Sequence, residues 1–171
     1  VSTPTRPPEP VPIHALLTER ELAGVAVTVR GNNPGMQPEL AARIAAEAVA
    51  YLAAVAANPD LALAPSPVVD EGWHAIILDT RLRDRLNARL GTVIHHTPEL
   101  PEDGGYDPDA INRTIAAIEA SGRIPDLPLW AGPGEQDIAV TASTWHTPAT
   151  EPPIQPIYKP PPPPPPPPPK K

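Results

Sequence analysis

Cysteine and phenylalanine are both absent from this chain of 171 residues, and aromatic side chains make up only 4% of it. Without cysteine there are no disulfides and no thiolate ligands, so His, Asp and Glu are the only strong metal-ligand types left. With so few rings, the apolar material is mostly Ala, Val, Leu and Ile, which suits closely spaced helices better than broad sheets. Long uncharged apolar runs are missing as well. The most apolar stretch, residues 41–57, is interrupted by Arg43 and Glu47, so no membrane span is expected. The opening Val-Ser-Thr-Pro-Thr-Arg-Pro-Pro lacks the basic-then-apolar layout of a secretion signal, which makes a cytosolic setting the expectation. Positive charge is scarce, with 13 Lys and Arg against 20 Asp and Glu and a formal charge of -7, so nucleic acid and anionic lipid are not expected partners. Neither a nucleophile motif nor a phosphate-cradling glycine loop is present.

Proline, in contrast, is abundant and unevenly placed. Five of the thirty fall before Ile13 and fourteen from Pro148 onward. This divides the chain into a disordered Pro-rich N-terminus (1–12), a single domain (13–130), an irregular linker (131–159) and a tail (160–171). Ten consecutive prolines at 160–169 form a polyproline II rod of about 30 Å, at roughly 3.1 Å per residue. Such a rod could recruit a protein partner with a proline-reading groove, or serve only as a spacer.

Within 13–130 the punctuation predicts an all-α bundle of about five helices. Thr18-Glu19-Arg20-Glu21 is a capping box opening a helix to about Arg30, although Val25, Val27 and Val29 alternate against it. Pro38 starts a second helix that ends at Asn58-Pro59, with Leu40, Ile44, Ala48, Tyr51, Leu52 and Val55 on one face. Ser66-Pro67 caps a third, running to about Leu78. A fourth, about Arg81 to Leu90, sets Leu82, Leu86 and Leu90 on one edge and is stopped by Gly91. Residues 92–97 are expected to be extended. Asp107-Pro108-Asp109 opens a fifth helix, which packs Ile111, Ile115 and Ile118 inward and closes at Ser121-Gly122. Asn112-Arg113-Thr114 fits the glycosylation triplet but is set aside in the absence of a secretion signal.

Residues 69–98 are the only stretch rich enough in polar chemistry to build a site. Asp70 and His74, four apart, share a helical face, and His95-His96 follow on a returning segment. Asp70 and His74 with His95 or His96 would form a two-histidine, one-carboxylate set suited to Zn or Fe, with hydrolytic or oxidative chemistry in view. Neighbouring histidines on extended backbone point to opposite faces, so one of the two is expected to join. The reading preferred from the sequence is instead a structural polar cluster of Asp70, Trp73, His74 and His96, with no cofactor, fixing helix packing in a non-catalytic binding or accessory module, and the metal site is its alternative. Arg81, Arg85 and Arg89 form a basic stripe that could hold an anion or an acidic partner, or be a solvated face.

The run Pro65-Ser66-Pro67-Val68-Val69-Asp70-Glu71-Gly72-Trp73-His74, with Thr80-Arg81, Gly91 and Ile94-His95-His96-Thr97-Pro98, resembles the bacterial branch of the glycine-rich domain-containing protein family. The resemblance extends approximately from the second helix to Trp130 and is concentrated in Asp-x-x-Trp-His and His-His-x-Pro. It points to Asp70, Trp73, His74 and His96 without implying a reaction. Family members often carry Tyr and Cys in the helix after the Trp-His, where this chain has Arg83 and Asn87.

Overall fold

The computed structural model describes residues 12–96, 107–131 and 138–140. These form six α-helices and one 3-10 turn, with no strand among the described residues: α1 (Ile13–Leu16), α2 (Glu19–Asn32), α3 (Pro38–Ala57), α4 (Pro67–Leu78), α5 (Thr80–Leu90), α6 (Pro108–Ala120) and the turn Leu127–Leu129. The all-α expectation holds, with α1 as an addition. Thr97, Pro98, the 160–169 rod and nearly all of the N-terminal and linker segments lie outside the described residues.

Local chemistry sets the helix boundaries. Thr18 accepts from the Glu21 amide at 3.3 Å while the Glu21 carboxylate accepts from the Thr18 amide at 2.9 Å, completing the capping box of α2. Ser66 caps α4 through the Val69 amide, and Asp107 caps α6 through the Asp109 amide. Between α4 and α5 a single residue, Asp79, makes the corner, its carboxylate accepting from the Leu82 amide at 3.0 Å. Gly91 ends α5 at φ 74, a left-handed conformation that glycine adopts without strain. The alternating valines of α2 prove compatible with a helix: Val25 and Val29, four apart, are buried, and Val27 faces outward.

Helix α3 packs against α1, α2, α4 and α6, and α2 and α4 also pack against each other. Its length and apolar composition would suffice to cross a membrane, but 56% of its most apolar window is buried inside this fold. The contact between α3 and α4 is close because both helices present small residues. A Cβ on Gly72 would come within 2.6 Å of Ala48 Cβ and 2.8 Å of the Ile44 carbonyl oxygen. The backbone there is helical, so it is space rather than φ that requires glycine.

After α6 the chain straps back over α3. Arg43 forks onto Asp126 at 2.5 and 2.7 Å, the Trp130 indole N–H donates to Glu47 at 2.7 Å, and the Ser66 hydroxyl donates to the Leu129 carbonyl. Burial pushes the Glu47 carboxyl above its ordinary range, against the pull of the indole donor. Ile138 and Val140 also join the core, so packed residues continue beyond Trp130. Thr114, from the triplet set aside above, is fully buried and bonds to Ala110 and to both backbone groups of Ala64, fastening the 58–66 loop to α6.

Candidate metal centre

Helix α4 is the wall on which the site is built. It is buried on nearly every side, and the helical period divides its central residues by direction. Glu71 turns toward α2, where Asn33 Nδ2 donates to it at 3.0 Å. Asp70, Trp73 and His74 share the face over which the chain returns after α5. Trp73 packs edge-on against Tyr51 of α3, with ring centroids 5.4 Å apart. Burial, with the Asp70 charge adding to it, raises the Tyr51 phenol well above its ordinary range.

The return itself depends on Asn87. Its backbone carbonyl accepts from the Thr92 amide at 3.2 Å and its side-chain oxygen from the Ile94 amide at 3.4 Å. These bonds turn residues 92–96 back toward α4. The consequence for the paired histidines is as expected of neighbours: His96 enters the site and His95 remains exposed. The His96 ring lies 4.5 Å from the Trp73 ring and 4.7 Å from that of His74.

His74 Nε2 approaches one Asp70 oxygen at 3.6 Å, and His96 Nε2 approaches the other at 3.5 Å. One ligand atom from each of the three residues lies within 4.8 Å of the others. Both separations are long for hydrogen bonds, whose N···O distances centre near about 2.9 Å. Asp70 Oδ1 is buried and accepts no hydrogen bond, although buried carboxylate oxygens are ordinarily satisfied. Two ligand atoms bound tetrahedrally to one ion, each at about 2.1 Å, stand about 3.4 Å apart. The Asp70–imidazole distances, each to a different carboxylate oxygen, leave room for an ion between the groups. The carboxylate is the enclosed member, at 8% side-chain exposure, while His74 and His96, at 36% and 22%, form the side open to solvent.

The basic stripe of α5 is arranged differently. Arg85 and Arg89 both bind the Glu21 carboxylate at 2.9 Å, and Arg89 also donates to the Leu16 carbonyl at 2.6 Å. Arg89 first, together with the Thr18 amide and Arg85, draws Glu21 down to about 2. Arg81 stands exposed. Tyr51, Glu71, Asn33 and Asn87 contribute to the site or its supports without having been singled out as candidates. For Asn87 the signal was its position one turn before the Gly91 stop, and Tyr51 was legible only as part of an apolar face.

Comparison with protein-family models, with curated proteins and with solved structures finds no match to this chain.

Proposed function

We propose that this protein is a helical metal-binding module in which Asp70, His74 and His96 hold one divalent ion, zinc or ferrous iron. The supporting observation is the buried, unbonded Asp70 Oδ1 in a carboxylate flanked on both oxygens by imidazole nitrogens at 3.5 and 3.6 Å. Three protein ligands leave coordination positions for water or a substrate oxygen, as hydrolytic zinc and dioxygen-activating iron sites require. Membership of the bacterial glycine-rich domain-containing protein family belongs to the same proposal, on the strength of Asp70, Trp73, His74 and His96.

Elemental analysis of the full chain, purified without an affinity tag, tests this reading. The expected result is about one zinc or iron per chain, falling to background in His74→Ala and Asp70→Asn. If the wild type is metal-free and zinc or ferrous iron leaves its melting temperature unchanged, the reading fails. A second reading, a metal-free polar plug in a binding or accessory module, draws support from the packing of Trp73 between Tyr51 and His96. It expects His74→Ala to lower the melting temperature by the same amount with and without added metal.

A further inference from the structure

An open cleft of about 800 Å³ runs between the outer side of α5 and the returning segment 91–96, and His96 is part of its lining. That volume falls within the range of about 300–1,000 Å³ typical of small-molecule sites. Ile77, Val93 and Ile94 supply apolar lining, while Arg83, Asp84 and Asn87 of α5 and His95 of the returning segment contribute polar groups.

The hydrogen bonds within the fold determine what those polar groups have left to offer. Arg83 directs Nε and Nη2 at the neighbouring Asp84, at 3.1 and 2.9 Å, which leaves Nη1 uncommitted. Asp84 is 68% exposed and adjacent in sequence, so this is a surface pair that a better-placed carboxylate can displace at little cost. Asn87 uses its side-chain oxygen to hold the Ile94 amide, so its NH2 group remains as a donor. Arg83 Nη1 and the Asn87 NH2 group are therefore the donors left over in a cleft that also holds the Asp84 carboxylate, with apolar lining and an imidazole of the proposed metal site at its margin.

We infer that this cleft binds a small monocarboxylate with a short apolar body, its carboxylate on Arg83 and Asn87 and its other functional group directed at His96. The assignment rests on the metal reading, because His96 links the cleft to the reactive centre. A guanidinium fork recognises a carboxylate through charge-assisted bonds, and an apolar body of a few carbons matches Ile77 and Ile94. Nucleic acid and other polyanions are poor matches for a cleft with one cationic fork in a chain of net charge -7.

The test is calorimetric titration of hexanoate, and separately of neutral hexanamide, into the zinc-loaded full chain, with zinc content measured on the same samples. Hexanoate is expected to bind saturably and hexanamide at least about tenfold more weakly. Arg83→Gln should weaken hexanoate by about tenfold with zinc content unchanged. Asn87→Asp keeps the acceptor for the Ile94 amide while replacing a donor with a negative charge, and should abolish hexanoate binding. If the chain holds zinc but does not bind hexanoate, or binds it equally in Arg83→Gln, the cleft assignment is overturned and the metal reading stands. If no zinc is retained, both are overturned.

Discussion

At the scale of single residues, Gly72 shows how one position can support both the fold and the site. It lies within Asp70-Glu71-Gly72-Trp73-His74, yet its role is to let α4 approach α3. In Gly72→Ala the new methyl would meet Ala48 Cβ at 2.6 Å and the Ile44 carbonyl at 2.8 Å, and a backbone oxygen cannot rotate away. Alanine's better helix propensity returns about 1 kcal/mol, while overpacking a tight core costs about 1–3 kcal/mol. A net loss is expected, seen as a melting temperature lower by several degrees. Adding Ala48→Gly should recover only part of it, since the Ile44 oxygen remains in place. An unchanged melting temperature in Gly72→Ala would show that the two helices can separate freely. Because α4 carries Asp70 and His74 while His96 arrives from elsewhere, the same shift should also weaken any hold on the proposed ion.

Between elements, the principal clamp is Glu21. It closes the capping box of α2, binds Arg85 and Arg89 of α5, and lies close to the carbonyl end of α1 through Arg89. Its carboxyl falls from an ordinary value near 4.5 to about 2, chiefly through Arg89. The folded form thus prefers the ionised group, and its contribution to stability is complete above about pH 4.5 and lost as the pH falls toward 2. Glu21→Gln should lower the melting temperature at neutral pH and flatten its acid dependence in that window; parallel acid curves for the two proteins would rule the clamp out. Both halves of this contact were visible in the sequence, the capping box as Thr18-Glu21 and the cationic stripe as arginines four apart. Their pairing was not, because 64 residues separate Glu21 from Arg85. The same division applies to the site. The Asp70–His74 face follows from helical spacing, and neighbouring backbone geometry implies that only one of His95 and His96 can enter. The hold of Thr114 on Ala64, 50 residues away, depends on tertiary position, which no local pattern encodes.

Across the whole molecule, α3 connects the site to the far end of the chain. Tyr51 touches Trp73 at one position, and four residues earlier Glu47 receives the indole of Trp130. The segment carrying Trp130 closes the core, with Leu129 fully buried and Trp130 only 4% exposed. A buried carboxyl that accepts from an indole loses part of its compensation for desolvation when that donor is removed. Trp130→Phe should lose about 1–3 kcal/mol from the unmet acceptor, together with some packing. The pH dependence separates the two contributions. Burial has already raised the Glu47 carboxyl, so ionising it becomes a penalty as the pH climbs through that elevated value, and without the indole the penalty grows. The melting-temperature gap between wild type and Trp130→Phe should therefore be smallest in acid, where Glu47 is neutral in both, and widen toward neutral pH. In a Glu47→Gln background the gap should become independent of pH. A gap that stays constant with Glu47 in place would mean that Trp130 holds the strap by packing alone and that the carboxylate takes no part in closing the core.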